Sequence, residues 1–273
     1  MGRLGKYIRA GINTGLCALG PCGLERKYKF SKQLVDFARS IETTPFSGTR
    51  LYPFMASRLS RPLYAVIAEE IVSAGRYKRV LDIDTGLGFL PIEIMLRDPD
   101  AYASGIDASK DMIKYAKANA KTCKTGRPVH FAQGDAAILP YPGRHFDLVI
   151  DVGILHHLSN LKSVFMEANQ VLLPGGEFWI CDYKDDITAE EWESIRMKLP
   201  ARCRVPFAVG LMASAMSAYG EANLLETAAE TKFEVIALER KTFTLLGQPM
   251  PLFNMLKLRK PSSPIDNEAP SEA

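Results

Sequence analysis

Cysteine is scarce in this chain and its spacing suggests no pairing. The 273 residues include five cysteines, an odd and scattered set that does not fit the disulfide framework of a secreted protein. Only Cys17 and Cys22 lie close together, and because a structural metal site needs three or four ligands, we expect no metal. The opening residues carry neither a myristoylation serine nor an apolar signal segment. These absences predict a cytoplasmic protein with reduced thiols.

The chain also lacks an excess of charge of either sign and a long hydrophobic run. Lys and Arg number 34 against 31 Asp and Glu, and the net charge of +3 gives no argument for a nucleic-acid partner. The stretch poorest in charge, residues 205–220, is broken by Pro206 and Gly210 and is shorter than the ~20 residues that span a bilayer. The charge therefore gives no support for nucleic-acid binding without excluding it, and we predict no transmembrane helix.

Short β-branched runs alternate with helical patterns from residue 79 to about residue 183, which is typical of βαβ units and a parallel sheet. The strands predicted here are Val80–Ile83, Tyr102–Asp107, Val129–Ala132, Phe146–Val152 and, after the turn Leu173–Gly176, Glu177–Tyr183. Two more, Phe233–Leu238 and Leu252–Leu258, are separated by Gly247-Gln248-Pro249 and are expected to close the sheet antiparallel. The sequence thus predicts a doubly wound, Rossmann-like α/β sheet of about seven strands with an antiparallel last strand.

Helical segments flank the predicted α/β domain, which we place at residues 76–260. Residues 1–75 carry helical signals, notably in 32–40 and 62–73, and are expected to form an N-terminal cap. Thr188 and Glu191 form a capping box that opens a helical insertion over about residues 188–230, before the last two strands. Residues 261–273 are rich in proline and serine, carry only acidic charge, and are expected to be a disordered tail.

From Val80 to Phe89, a strand is predicted to run into a tight Gly-x-Gly turn and then into a helix. Gly86 and Gly88 allow a ligand to approach the backbone, and the following helix offers unpaired N–H groups. Asp107 ends the next strand, where a carboxylate can accept both hydrogen bonds of a ribose diol. This arrangement predicts a cofactor with an adenosine part.

Further motifs follow in a fixed order. They are Gly105-Ile106-Asp107, Gly134-Asp135-Ala136 with Leu139-Pro140, Phe146-Asp147-Leu148-Val149, Leu155-His156-His157 and Val171-Leu172-Leu173-Pro174-Gly175-Gly176. With the glycine turn, they make residues 79–183 resemble the class I S-adenosylmethionine-dependent methyltransferases, especially the ubiquinone and menaquinone type that acts on small molecules. The resemblance implies an enzyme that uses S-adenosylmethionine to methylate a small, partly apolar acceptor, held between the cap and the insertion.

The resemblance also implies roles for individual residues around the cofactor. By this comparison Gly86 and Gly88 admit the methionine part of the cofactor, and Asp82 orients the turn and the methionine ammonium. Asp107 binds the ribose hydroxyls, and Asp135 contacts the adenine amine. Asp151 and Gly153 lie beside the reacting methyl.

One position departs from the family pattern of an acidic residue followed by Gly-x-Gly-x-Gly. Asp84 stands where the first glycine is usual. Aspartate is one of the few residues other than glycine that tolerates the left-handed conformation, so the turn can still form. Its carboxylate either strengthens the hold on the cationic cofactor or displaces the cofactor by its bulk, and we predict the first.

Two other functions share parts of this pattern. A nicotinamide-dependent oxidoreductase shares the glycine turn and Asp107, but Pro91 replaces its third glycine. A non-catalytic methyltransferase-like binding protein would explain Asp84, and a protein acceptor is a further alternative.

His156 is the candidate base, because an imidazole titrates near neutral pH. The alternative is that His156 and His157 only pack the turn after the fourth strand.

Overall fold

The structure, a computed structural model, describes residues 51–153, 155, 160–184, 186–198, 218–245 and 248–262. The helices are α1 (Leu51–Ser73), α2 (Phe89–Arg97), α3 (Lys110–Cys123), α4 (Leu161–Val171), α5 (Ala189–Lys198) and α6 (Glu221–Glu230). The strands are β1 (Arg79–Ile83), β2 (Tyr102–Asp107), β3 (His130–Gln133), β4 (Phe146–Val152), β5 (Leu172–Tyr183), β6 (Glu234–Leu245) and β7 (Gln248–Arg259).

The strands form one sheet in the order β3-β2-β1-β4-β5-β7-β6. The pairs β1–β2, β1–β4, β2–β3 and β4–β5 are parallel, and β7 runs antiparallel to both β5 and β6. This arrangement confirms the predicted α/β class and the antiparallel closure. Because the chain leaves β1 toward β2 on one side and reaches β4 on the other, the direction of winding reverses between β1 and β4.

Helices pack on both faces of the sheet, as a doubly wound fold requires. On one face, Leu81 and Val149 share a core with Phe165 of α4. On the opposite face, Ile92 of α2 packs with Ala116 of α3 and with Phe131 of β3. Phe131 lies in the same row as Asp82, and successive side chains of a strand point to opposite faces, so this row faces away from Leu81. The central strands are covered on both sides, which explains why they appear in the sequence as continuous apolar runs.

Five strands differ from their predicted bounds. β1 begins one residue earlier than predicted, β3 is shifted by one residue, and β6 continues to Leu245 instead of ending at Leu238. β5 and β7 begin earlier than predicted. The turn expected at Leu173–Gly176 lies inside β5, because the pair Phe146–Leu172 is followed, after a register shift, by Leu148–Glu177, and the residues between them bulge out of the ladder. Gln248 and Pro249 belong to β7 rather than to a connection. Pro249 is tolerated because this end of β7 pairs only with β6, and the pairing with β5 begins at Phe253.

The flanking segments contain helices where the structure describes them. Helix α1 contains the predicted segment 62–73, whereas residues 32–40 lie outside the described residues. The capping box opens α5, since Thr188 N donates to Glu191 Oε2 at 2.9 Å and Glu191 N donates to Thr188 Oγ1 at 3.2 Å. Most of the remaining insertion, residues 199–217, and the tail beyond residue 262 also lie outside the described residues.

The chain divides into two compact units, residues 44–185 with 217–273 and residues 1–43 with 186–216. The sheet and its covering helices belong to the first unit. Of the second, the structure describes residues 186–198, which include α5. Across the described ranges, no helix combines the length and the apolar character needed to cross a membrane.

The buried carboxylate of Glu177 in β5 joins the segment before β1 to β5 and β7. Tyr77 Oη and Trp179 Nε1 donate to Glu177 Oε2 at 2.5 and 2.9 Å, and the guanidinium groups of Arg76 and Arg259 each donate to Oε1 at 2.9 Å. Glu177 is therefore a fully used acceptor. These contacts hold the start of β1 against β5 and β7, and so fix the strand that carries the glycine turn.

Candidate functional site

The carboxyl ends of three neighbouring strands meet where the winding direction reverses. In the sheet register, Ile83 pairs with Ile106 of β2 on one side and with Asp151 of β4 on the other. Asp107 follows Ile106 directly, so the predicted ribose-binding residue and the predicted residue beside the methyl flank the end of β1. Open α/β sheets bind ligands in this crevice.

The chain leaves β1 in a tight turn with three left-handed residues. The φ angles of Asp84, Gly86 and Gly88 are +54°, +52° and +74°. Thr85 N donates to the carbonyl of Ile106 at 2.7 Å, and Gly88 N donates to the carbonyl of Thr85 at 2.9 Å. Asp84 therefore adopts the conformation for which glycine is usual, and the turn forms as expected.

The two glycines of the turn face different surroundings. A side chain on Gly86 would meet nothing within 4 Å, so this backbone is open to a ligand. A Cβ on Gly88 would lie 2.6 Å from the ring of Phe131 and 2.7 Å from the Cβ of Ala116. Glycine is required at position 88 by packing inside the protein, a reason that the sequence analysis did not identify.

Asp107 holds the turn as well as facing the crevice. Its Oδ2 accepts from Gly86 N at 2.9 Å, and its Oδ1 accepts from Ser109 N at 2.8 Å. Burial raises the pKa of this carboxyl, and the two backbone N–H groups oppose that rise. A carboxylate oxygen has a second acceptor position, so both oxygens can still accept a hydroxyl.

Thr85 is a site residue that the sequence analysis missed. Its hydroxyl donates to Asp82 Oδ2 at 2.5 Å, and Asp82 is buried. Space for the threonine comes from Gly105, because a Cβ there would lie 2.5 Å from Thr85 Oγ1. Thr85 and Gly105 are both visible in the sequence, but nothing there connects them. The strand register connects them, because it pairs Gly105 with Asp82 in the neighbouring strand.

Asp84 and Asp151 each keep a buried oxygen without a partner. Asp151 is completely buried; its Oδ2 accepts from Leu155 N at 3.3 Å, and its Oδ1 has no hydrogen bond. Asp84 Oδ2 is likewise buried and unpaired. A buried acceptor left unpaired costs about 1–3 kcal/mol, and a carboxylate costs more. Two such oxygens at the carboxyl ends of β1 and β4 indicate a site for a ligand that donates hydrogen bonds or carries positive charge.

Like charges surround these groups. Burial raises the pKa of Asp82 to about 8, with smaller contributions from Asp84 and Asp107. Burial raises the pKa of Asp84 to about 7, helped by the charges of Asp107 and Asp135. Burial also raises the pKa of Asp151 well above its ordinary value, together with the charges of Asp182, Asp84 and Asp82. Among the described residues, no lysine or arginine offsets this charge at Asp82 or Asp84.

The remaining predicted residues are placed unequally. Asp135 is exposed, and its Oδ1 accepts from Ala137 N at 2.9 Å, so in this structure it caps its own turn. Gly153 has a φ of +78°, donates to the carbonyl of Cys181 at 2.8 Å, and has open space where a side chain would be. His156, His157, Cys17 and Cys22 lie outside the described residues, within which no cluster of metal-binding side chains occurs.

The buried carboxyls predict how stability depends on pH in the unliganded protein. Since the pKa values of about 8 at Asp82 and about 7 at Asp84 exceed those of an unfolded chain, the folded state binds more protons over this interval. The stabilisation is complete at low pH and is lost as the pH rises through 7 and 8. We expect the free energy of unfolding in urea to be lower at pH 8.5 than at pH 6, by on the order of 1 kcal/mol per group and pH unit.

Two variants test the origin of this pH dependence. Asp84→Asn should reduce the difference between the free energies of unfolding at pH 6 and pH 8.5. Asp111→Asn removes an exposed carboxylate of α3 and should leave that difference unchanged. Equal free energies of unfolding at pH 6 and pH 8.5 in the parent would contradict the assignment.

Comparison with known proteins gives a consistent result. Residues 75–237 match the family described as a methyltransferase domain. The demethylmenaquinone methyltransferase of Thermus thermophilus is 31% identical over 106 residues, 39% of this chain and 47% of that protein. The fatty-acid O-methyltransferase of Mycolicibacterium smegmatis is 30% identical over 137 residues, 50% of this chain and 48% of that protein. The chain thus spans about half the length of the curated relatives it matches.

The fold is shared with solved structures. A SAM-dependent methyltransferase from Aquifex aeolicus superimposes with a TM-score of 0.52 at 18% sequence identity, over 73% of this chain and 92% of that one.

Proposed function

The chain belongs to the methyltransferase-domain family, and we propose that it binds S-adenosylmethionine and transfers its methyl group to a small, partly apolar molecule. One observation carries the proposal: at the switch point of the sheet, the matched region holds Asp84 and Asp151, each with a buried oxygen that has no hydrogen-bond partner, and no lysine or arginine among the described residues offsets the charge of Asp84. A ligand with an ammonium, a sulfonium and a ribose diol supplies what these oxygens lack.

The residues fit the parts of this cofactor. Asp107 binds the ribose hydroxyls with the acceptor positions that its two backbone contacts leave. Asp82, held by Thr85, faces the methionine ammonium, and the open backbone at Gly86 admits the methionine part. Asp84 lies nearer the sulfonium. Gly88 lets the turn pack closely against Phe131 and Ala116. Asp135 approaches the adenine amine, and Asp151 with Gly153 lies beside the reacting methyl.

Methyl transfer from S-adenosylmethionine needs few catalytic side chains. When bound, S-adenosylmethionine supplies a methyl group that its sulfonium has already activated. The protein's task is then to place the acceptor in line with that methyl and to exclude water. An acceptor that must lose a proton needs a base, and His156 is our candidate for it.

The acceptor class follows from relatives and from the sequence. The named relatives act on demethylmenaquinone and on a fatty acid, both small molecules with a large apolar part. The balanced net charge of +3 gives a polyanionic acceptor no electrostatic advantage. The cytoplasmic location suggested by the cysteines is part of the same proposal.

A calorimetric titration tests the cofactor assignment. We expect the full chain to bind S-adenosylmethionine and S-adenosylhomocysteine, and to show no binding of NAD, whose pyrophosphate would face the carboxylates of Asp82, Asp84 and Asp151. Binding of NAD without binding of either sulfur compound would instead identify an oxidoreductase.

A further inference from the structure

Asp84 distinguishes this site from the usual glycine turn. We infer that its carboxylate makes the site selective for charge at sulfur, so that the cationic cofactor S-adenosylmethionine is held more tightly than its neutral product, S-adenosylhomocysteine. This inference rests on the proposed function and assigns one residue a role within it.

The placement of Asp84 follows from the strand register. Asp84 comes directly after Ile83, which pairs with Ile106 of β2, the residue before Asp107, and with Asp151 of β4. Asp84 thus lies at the end of the strand between the residue proposed for the ribose and the residue proposed for the reacting end. In the cofactor, the sulfonium joins these same two parts.

The unpaired oxygen supplies an independent reason. Asp84 Oδ2 is buried without a hydrogen-bond partner, and so is Asp151 Oδ1. The turn itself does not need the carboxylate, because its hydrogen bonds are made by the backbone of Thr85 and Gly88 and by the side chain of Asp107. A buried charge that stabilises nothing in the protein is explained by a positive charge on its ligand.

Methyl transfer removes that positive charge. The acceptor donates the electron pair of its new bond to the methyl carbon, while the bond between sulfur and that carbon breaks and its pair stays on sulfur. An acceptor that reacts as an anion becomes neutral, and a neutral acceptor takes the positive charge and can release it as a proton to a base or to water. The sulfonium becomes an uncharged thioether, while the ammonium and carboxylate of the methionine part are unchanged. Asp84 therefore loses its partner at the moment the product forms, which favours exchange of product for fresh cofactor.

The test compares both ligands on the parent and on variants of Asp84. At pH 8.5, where Asp84 is ionised, we expect the parent to bind S-adenosylmethionine at least tenfold more tightly than S-adenosylhomocysteine. Asp84→Asn keeps the size and the tolerance of the left-handed conformation. It should reduce this ratio at least fivefold, chiefly by weakening S-adenosylmethionine, and change the affinity for S-adenosylhomocysteine less than twofold. Asp111→Asn, at an exposed position of α3, should leave both affinities unchanged.

The same titrations at pH 6 add a second readout. Among the described residues, the groups whose charges interact with Asp84 are acidic, namely Asp82, Asp107, Asp135 and Asp151. Burial raises the pKa of Asp84 and of its neighbours Asp82 and Asp151, so lowering the pH removes negative charge from the site. The preference of the parent for S-adenosylmethionine should shrink at pH 6, and the preference of Asp84→Asn should shrink less.

Three outcomes would overturn the inference, and they separate it from the proposed function. If the parent binds both ligands equally, or if Asp84→Asn weakens both by the same factor, the selectivity role is wrong while the methyltransferase assignment stands. If the parent binds neither ligand and Asp84→Gly binds both, Asp84 blocks the site and both proposals fail.

Discussion

Replacing Asp107 with alanine is expected to weaken the binding of S-adenosylhomocysteine at least tenfold. A carboxylate that accepts hydrogen bonds from two ribose hydroxyls contributes about 1.5–3 kcal/mol, and each 1.4 kcal/mol is a factor of ten in affinity. The change also removes the acceptors of Gly86 N and Ser109 N, which loosens the turn. The neutral product is the right probe, because its affinity does not depend on the charge at sulfur.

Two companion variants separate lost binding from lost structure. Asp107→Glu keeps the charge but moves it by one methylene, and should recover part of the affinity. Asp111→Ala removes a carboxylate that is exposed on α3 and should bind like the parent. If Asp107→Ala, folded by circular dichroism, titrates like the parent, Asp107 does not bind the ribose.

Replacing Gly88 with alanine is expected to cause the largest loss of stability. The left-handed conformation costs a residue with a Cβ roughly 1–2 kcal/mol. The new Cβ would also lie 2.6 Å from the ring of Phe131 and 2.7 Å from Ala116, in the packed core between α3 and β3. Overpacking of this kind adds about 1–3 kcal/mol.

Gly126→Ala is the matched control for Gly88→Ala. Its φ of +75° is nearly that of Gly88, at +74°, but nothing lies within 4 Å of the added carbon. We expect the urea midpoint of Gly88→Ala to fall well below that of Gly126→Ala, with unchanged slopes. Equal midpoints would show that the turn moves away from Phe131 and that packing does not require glycine at position 88.

Features with local causes could be predicted from the sequence. The observed β2 and β4 have the predicted bounds, because a polar or glycine-containing segment follows each buried run. The Thr188 and Glu191 capping box and the Ser109 cap of α3, which accepts from Met112 N at 3.4 Å, are formed by residues a few positions apart. Local hydrogen bonds of this kind need no knowledge of the fold.

Features that depend on pairing between distant segments could not be predicted. The start of β5 depends on the bulge opposite Phe146, and the start of β7 depends on which neighbour pairs with Pro249. The same holds for the site. The bond from Thr85 to Asp82, the packing behind Gly88 and the unpaired oxygen of Asp151 arise from strands and helices brought together by the fold.

Transfer of a labelled methyl group tests the central claim most directly. The full chain is incubated with methyl-labelled S-adenosylmethionine and a cell extract, and the label is followed into small-molecule, protein and nucleic-acid fractions. The account predicts that label enters the small-molecule fraction with the parent and at least tenfold more slowly with Asp107→Ala at subsaturating cofactor. Label that stays in the cofactor although the chain binds it, or that enters only protein or nucleic acid, would contradict a small-molecule methyltransferase.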